Sequence, residues 1–369
     1  MENPRKPSVS MSVPATRAGQ TAHPQRTYGR GHGRATQADV AELAGVTTMT
    51  VSRFMRSPSH VGSVTAEKIR EAVETTRYIL NKNAGLLAGG RSSIVAVIVP
   101  SIASSAFSST VQALGDGLQR HGLELLLAAT NYELQREEQQ IRSLLAWSPS
   151  ALVVTGHKHT RAANDLLRRA QASGIPVVVM WDHDGARKEF VQIGFDHSLV
   201  GSMMASHLLD RGHRDLLYVS NGDPRDVRSE KRCQAFVCKA QDSGAKVRVV
   251  SLPYDMDAMA AGREVMRVQL LDGLPRAMAF SSDFPAAGAF LQAQRSAIAV
   301  PDQLAMMGFG DYPIATQVGA GLSTIGVDRL ALGALCAQQV ISMVAGDSSR
   351  EVHPNDRQIV PKIFQRETT

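Results

Sequence analysis

Apolar positions fall into two regimes along the chain. Between residues 35 and 79 they recur at helical spacing. Val40, Leu43 and Ala44 give one short helix an apolar face. Thr36 can cap its start, Asp39 three residues on completes a capping-box-like pattern, and Gly45 stops it. Thr47 can cap a second helix whose Val51, Phe54 and Met55 turn toward a small core. Thr48, Met49, Ser52 and Arg53 are left pointing outward. A third helix is predicted from about Thr65 to Arg77, with Ile69, Ala72, Val73 and Thr76 on one face.

From Ser93 the regime changes to short apolar runs alternating with amphipathic stretches. The runs Ile94–Val99, Leu123–Ala129, Ala151–Thr155 and Ile175–Met180 read as buried strands. Helical patterns separate them at Thr110–His121, Glu133–Trp147 and Ala162–Ser173. The rhythm restarts after Phe195. Helices are predicted at Leu199–Arg211, Ser229–Ser243, Asp257–Leu271 and Pro285–Gln294, and strands at Asp215–Ser220, Lys246–Leu252, Ala277–Ser281 and Leu304–Gly308. This alternation predicts two doubly wound parallel sheets in tandem, with a crevice at the carboxyl ends of their strands.

Charge divides the chain in the same way. The formal net charge is +6, but residues 1–92 carry +7 and the remainder −1. A basic front on a near-neutral body suits a polyanion-binding end joined to a module with another task. Residues 1–34, rich in Pro, Ser, Thr, Gly and Arg, read as a disordered arm. Cys233, Cys238 and Cys336 have no metal-ligand spacing and read as reduced thiols, and no metal site is expected. No run of about 18 apolar residues suggests a membrane span, and the first residues lack a signal-peptide core. A cytoplasmic location is therefore expected. The sequence contains no G-x-S-x-G, Walker loop, H-E-x-x-H or strand-linked G-x-G-x-x-G, so neither an enzyme nor a cofactor is expected.

The segment DVAELAGVTTMTVSR, Asp39–Arg53, describes two helices joined by a glycine turn. That arrangement places the start of the second helix in a DNA major groove, although the same pattern also fits a plain helical hairpin. Six segments make the wider order specific: this headpiece, RYILNKNAGLLAGGRS, GFDHSLVGSMMASHLLDRGHRDLLYVS, SSDFPAAGAF, VPDQLAMMGFGD and LSTIGVDRLALG. On these the chain resembles the lactose/galactose-repressor family of bacterial transcription regulators from Thr36 to about Lys362. Within it, VTTMTVSRFMRSP, LLAWSPSALVVTGHKHT and GFDHSLVG are similar to the gluconate-utilisation repressors.

The resemblance implies an all-α helix-turn-helix headpiece at 35–79, a hinge helix at 80–92 and a periplasmic-binding-protein-like α/β core at 93–369. The core would have an N-lobe of about 93–195 with a return near 327–345, and a C-lobe of about 196–326 with the C-terminal segment. It implies a homodimer, with a tetramer as the other option, on a pseudo-palindromic double-stranded DNA operator. Leu87 would wedge into the minor groove, and Tyr78 and Asn81 would anchor the headpiece. Leu80, where the family often has proline, and Gly85 would loosen the free hinge. Thr48 and Met49 match the principal base-reading positions, with Met49 suited to thymine methyls. Arg53 can pair with guanine or contact a phosphate, and Thr47, Thr50 and Ser52 can hold phosphates.

For the crevice, the resemblance places Arg232 as the grip on a ligand carboxylate or hydroxyl. Arg228 and Lys231 beside it also fit plain helix-surface charges. Ser101 and Phe107 would line one wall and Asp283 the other, accepting from sugar hydroxyls. Thr155 and Lys158, with His157 and His159, form either an anion-attracting cluster or a solvated loop. Asp182 and Asp184 fit sugar ligands or helix caps. Gly310, where the family often has aspartate, favours a sugar acid over a neutral sugar. The expected function is a repressor released by a sugar or sugar-acid effector, gluconate-like in the first instance. The alternatives are a corepressor-dependent regulator of the same fold and, in another class, a sugar-binding transport protein.

Overall fold

A computed structural model describes residues 35–80, 92–103, 105–185, 189–253 and 256–369. The predicted arm at 1–34, and Asn81, Gly85 and Leu87 of the predicted hinge, lie outside the described residues.

The N-terminal unit contains three helices: α1 (Gln37–Ala44), α2 (Thr48–Arg56) and α3 (Ser63–Thr76). The capping box on α1 is complete. Thr36 N donates to Asp39 Oδ2 at 2.7 Å, and Asp39 N donates to Thr36 Oγ1 at 3.4 Å. Gly45 ends the helix in a left-handed conformation. Thr47 Oγ1 accepts from Thr50 N at 3.2 Å and starts α2. The small core combines Val40, Ala41 and Ala44 with Val51, Phe54, Ile69 and Ala72. Leu43 departs from expectation: it is exposed, because Ala41 takes the inward position on α1.

The second unit holds two sheets. The first is parallel, in the order β2-β1-β3-β4-β5: β1 Ile94–Val99, β2 Glu124–Ala129, β3 Ala151–Thr155, β4 Val177–Asp182 and β5 Val191–Phe195. The second runs β11-β10-β9-β8-β6-β7: β6 Asp215–Ser220, β7 Lys246–Ser251, β8 Ala277–Phe280, β9 Ala305–Gly310, β10 Ser323–Gly326 and β11 Lys362–Phe364. Only β10 and β11 pair antiparallel. Central strands β1, β3 and β4 are buried on both faces, as their continuous apolar runs require. Edge strands β2 and β7 are half-exposed.

Helices α4 (Ser105–Gln119), α5 (Leu134–Leu145) and α6 (Arg161–Ala172) flank the first sheet. Helices α7 (His197–Asp210), α8 (Val227–Asp242), α9 (Ala258–Asp272) and α10 (Asp283–Arg295) flank the second. Helix α11 (Arg329–Ala345) returns from β10 to pack on α4 and on the ends of β4 and β5. The chain therefore crosses between lobes three times: from β5 to α7, from β10 to α11, and from Ile359, whose N donates to Gly194 O at 2.7 Å, to β11. One apolar cluster runs through both lobes, joining Val95, Leu114 and Phe195 to Leu216, Phe236 and Ile325.

Candidate effector cavity and DNA-reading helix

On α2, Thr47, Thr48, Met49 and Arg53 are exposed, and Thr50 and Ser52 are half-buried. Met49 is 70% exposed despite its apolar side chain, so this helix presents a residue that folding of the headpiece does not use. The Arg53 carbonyl accepts from Ser57 N at 2.8 Å, and its guanidinium extends from the exposed side of the helix. Arg56 instead bends back to Ser52, with Nη2 3.3 Å from Ser52 Oγ, so that hydroxyl already has a partner. Arg53, Arg56, Ser57 and His60 rim one hollow, and Tyr78 packs against the headpiece core.

In the second unit, a cavity of about 160 Å³ opens at the carboxyl ends of both sheets. The first lobe supplies Phe107 of α4, Tyr132 after β2 and Trp181 of β4. The second supplies Asn221, Asp226, Arg228 and Arg232 around the start of α8, Ser281 and Ser282 after β8, and Phe309 and Tyr312 at β9. His197, the first residue of α7, completes the lining. Phe107 meets Trp181 edge-on at 5.0 Å, which gives the cavity an aromatic side. Tyr132 and Trp181 have left-handed backbone, with φ of 61° and 76°. Such conformations cost on the order of 1–3 kcal/mol each in a non-glycine residue and tend to cluster at binding sites.

The polar groups are unevenly matched. Asp226 is fully engaged as the cap of α8: Oδ1 accepts from Arg228 N and Ser229 N, and Oδ2 accepts from Asn221 Nδ2 at 2.9 Å. Arg232 stacks over the Phe309 ring at 4.3 Å, and its Nη1 lies 2.9 Å from His197 Nδ1. Its Nε has no hydrogen-bond partner. Arg228 lies 5.7 Å from the centre of the Phe107 ring. Neither guanidinium forms an ion pair among the described residues, although both arginines are buried. Asp182 stands behind His197, with Oδ1 3.3 Å from His197 Nε2. Burial alone would raise its pKa, but the His197 hydrogen bond and the Arg228 charge hold it well below the usual carboxylate range. Burial pushes the Tyr132 phenol up to about 12, with Asp226 adding to the rise.

Comparison with known proteins identifies the architecture. The pattern of bacterial regulatory proteins of the lacI family matches residues 36–81, and that of the periplasmic binding protein-like domain matches residues 205–369. The HTH-type transcriptional regulator GntR of Pseudomonas aeruginosa is 36% identical over 322 residues, covering 86% of this chain and 92% of that protein. The chain belongs to the lacI family of bacterial regulatory proteins. A second family member, the HTH-type transcriptional regulator IdnR of Escherichia coli, is 30% identical over 312 residues, covering 83% of this chain and 91% of its own length. A lacI-family regulator from Silicibacter pomeroyi superposes with a TM-score of 0.81 at 29% identity, covering 90% of this chain and 98% of that one. The Lac repressor dimer bound to operator and the anti-inducer ONPF shares the fold, with a TM-score of 0.77 at 22% identity over 91% of this chain and 99% of that one. The chain is thus a helix-turn-helix transcriptional regulator built on the lacI-family plan.

Within that plan the residues singled out from sequence separate into groups. Phe107 and Arg232 line the cavity, and Asp182 lies directly behind it. Thr155 and Lys158 line a smaller neighbouring hollow that shares Tyr132 and Arg228 with the cavity. Ser101 lines neither. Asp283 is fully buried and faces inward: it accepts from Thr324 Oγ1 at 2.6 Å and from Tyr312 N at 2.8 Å, so it ties β9 to β10. Of the basic cluster after β3, His159 turns away from Thr155 and Lys158, its Nδ1 lying 2.8 Å from buried Glu137 Oε2. At Gly310 a side chain would run into the Tyr312 ring, which occupies the space an aspartate would need. Sequence reasoning missed His197, Tyr132 and Trp181, and it left Arg228 open between the crevice and a helix-surface charge. The available signals were DHS just after a strand and DVRSEKR opening a helix, where residues at strand ends and helix starts face the crevice.

Proposed function

We propose that this regulator is a repressor that senses a sugar acid of the gluconate class in the cavity between its lobes. One observation carries the reading. Arg228 and Arg232 are buried, border the same space, and have no ion-pair partner among the described residues. Asp182 and Asp226 act on Arg228 from a distance, but Arg232 Nε has no hydrogen-bond partner, and a buried donor left unmatched is costly; a ligand carboxylate with flanking hydroxyls relieves that cost. Guanidinium groups pair with carboxylates through two parallel hydrogen bonds. Tyr132, Asn221, Ser281 and Ser282 supply further polar groups for hydroxyls. The resemblance of the headpiece and of GFDHSLVG to gluconate-utilisation repressors supports the same class.

On DNA, Thr48 and Met49 read base edges, Arg53 pairs with guanine, and Thr47, Thr50 and Ser52 hold phosphates of a pseudo-palindromic operator engaged by a homodimer. Tyr78 and Asn81 anchor the headpiece, and Leu87 wedges into the minor groove. The effector acts by binding two arrangements of the lobes unequally, which is the condition for any ligand to shift operator affinity.

The test is thermal unfolding of the full chain with D-gluconate, 2-keto-D-gluconate, D-glucose and D-galactose, followed by promoter binding with the same compounds. The anions are expected to raise the midpoint and release the promoter fragment. A ligand at 100 times its Kd adds about 2.7 kcal/mol. Stabilisation by the neutral sugars alone would refute the reading, and tighter promoter binding with the anion would make it a corepressor.

A further inference from the structure

His197 stands just past the first crossing between lobes, at the start of α7, and is 3% exposed. Both ring nitrogens face fixed partners. Nδ1 lies 2.9 Å from Nη1 of Arg232, on α8 of the second lobe. Nε2 lies 3.3 Å from Asp182 Oδ1 and 3.2 Å from the Trp181 carbonyl oxygen, both on β4 of the first lobe. A guanidinium has only donors, so Nδ1 must offer its lone pair. A carboxylate and a carbonyl only accept, so Nε2 must carry the hydrogen. The two constraints select one species, the neutral ring protonated at Nε2. A second proton would aim an N–H at Arg232 and set two cations against each other.

The placement has a chemical reason. If Asp182 met Arg232 directly, the fork of the guanidinium would close on it and its charge would be spent inside the protein. With the imidazole between them, Arg232 uses one N–H on His197 and stays cationic toward the cavity, while its plane is fixed by Phe309. The charged groups around the ring are Asp182 of β4 and Arg228 and Arg232 of α8, with His157 beyond Asp182. Burial lowers the pKa of His197, the Asp182 hydrogen bond opposes this, and Arg232 adds to the lowering.

We propose that His197 is a positioning residue of the cavity: as the neutral Nε2–H ring, turned by the Trp181 carbonyl and standing between Asp182 and Arg232, it accepts from Arg232, holding the guanidinium ready for an anionic ligand and bridging the two lobes. The proposal rests on the sugar-acid reading for what Arg232 is held to bind; the state of the ring does not depend on any ligand.

Two measurements test it. In the full chain labelled with ¹⁵N-histidine, two-bond proton–nitrogen spectra at neutral pH should give an unprotonated Nδ1 and a protonated Nε2 for the signal that H197Q removes. An imidazolium or the Nδ1–H tautomer would overturn the proposal. Two variants then divide the ring's contacts. In H197N the side-chain amide reaches the Nδ1 position and keeps only the acceptor for Arg232. In H197Q it reaches the Nε2 position and keeps only the donor to the Trp181 carbonyl, beside Asp182. Titration calorimetry with D-gluconate should find H197N close to wild type and H197Q weaker by about tenfold or more, the scale of one hydrogen bond to a charged group. Equal affinities for all three proteins, or equal losses in both variants, would reduce His197 to packing and overturn the proposal. If the wild type ignores D-gluconate, the sugar-acid reading fails, and the spectra alone decide the state of His197.

Discussion

Nη1 of Arg228 lies 2.5 Å from the point where a β-carbon on Gly156 would stand, and Asp182 Oδ2 lies 3.3 Å from that same point. Gly156 directly follows β3 with φ at +82°, a conformation that L side chains rarely adopt. The guanidinium thus crosses the strand end through a gap that only glycine leaves. G156A should displace Arg228 and add backbone strain on the order of 1–3 kcal/mol. A lower unfolding midpoint together with weaker stabilisation by D-gluconate is the expected result. An unchanged response to the anion would remove Arg228 from the ligand's surroundings.

R232K tests the other guanidinium. Lysine keeps the positive charge but loses the planar fork and the stacking on Phe309. Calorimetry should find D-gluconate bound at least about tenfold more weakly, equivalent to about 1.4 kcal/mol. Promoter binding without ligand should be unaffected. Undiminished affinity would mean that bare charge, not the fork, recognises the anion.

On the DNA side, R53A should lower affinity for the operator by about 1–3 kcal/mol, the discrimination of one bidentate contact to guanine. Binding to a scrambled duplex should change little. Fluorescence anisotropy at fixed salt compares the two, and an equal loss on both would make Arg53 a phosphate contact.

Asp283 gives a pH signature. Burial pushes its carboxyl up to about 6, against hydrogen bonds from Thr324 and Tyr312 that favour the charged form. The folded state therefore holds a proton that the unfolded chain has released between about pH 4 and 6, so this residue's contribution to stability falls as pH rises through that window. The total is on the order of 3 kcal/mol. D283N removes the titration, and its amide can still donate to the Thr324 hydroxyl and accept from Tyr312 N. Urea unfolding at pH 4.5 and pH 7 should find wild type losing stability relative to D283N at the higher pH. A parallel response of both proteins would mean that Asp283 ionises normally.

Much of this architecture is legible in the sequence where burial and periodicity coincide. The run Ile94–Val99 is apolar throughout because β1 is covered on both faces. The start of α1 is legible because a capping box is a local pattern. Strand β5 was missed because Gln192 and Gly194 interrupt its apolar residues. Strand β10 was missed because Ser323 and Thr324 look like loop residues, yet both are fully buried. Their hydroxyls are satisfied by Arg366 O and by Asp283, 43 and 41 residues away, and no local window contains such partners. The site follows the same rule. Arg232 was found through family resemblance, whereas His197 acquires its meaning only when Asp182 and Arg232 close on it from two lobes.

The return of α11 onto α4 also has a consequence for how the protein is made. The end of α4 and the start of α11 are separated by the rest of the first sheet and the whole second lobe, from residue 119 to residue 329. At a ribosomal pace of about 5–20 residues per second, that interval lasts roughly 10–40 s. During that time α4 lacks the cover of α11, which in the finished fold packs Ala337 against Gly117 and Gly333 against Thr110 and Ala113. The strands of the second lobe emerge while the first still lacks its closing helix, so the sensing half matures as one object, late, and a chain stopped before residue 329 leaves both halves unfinished.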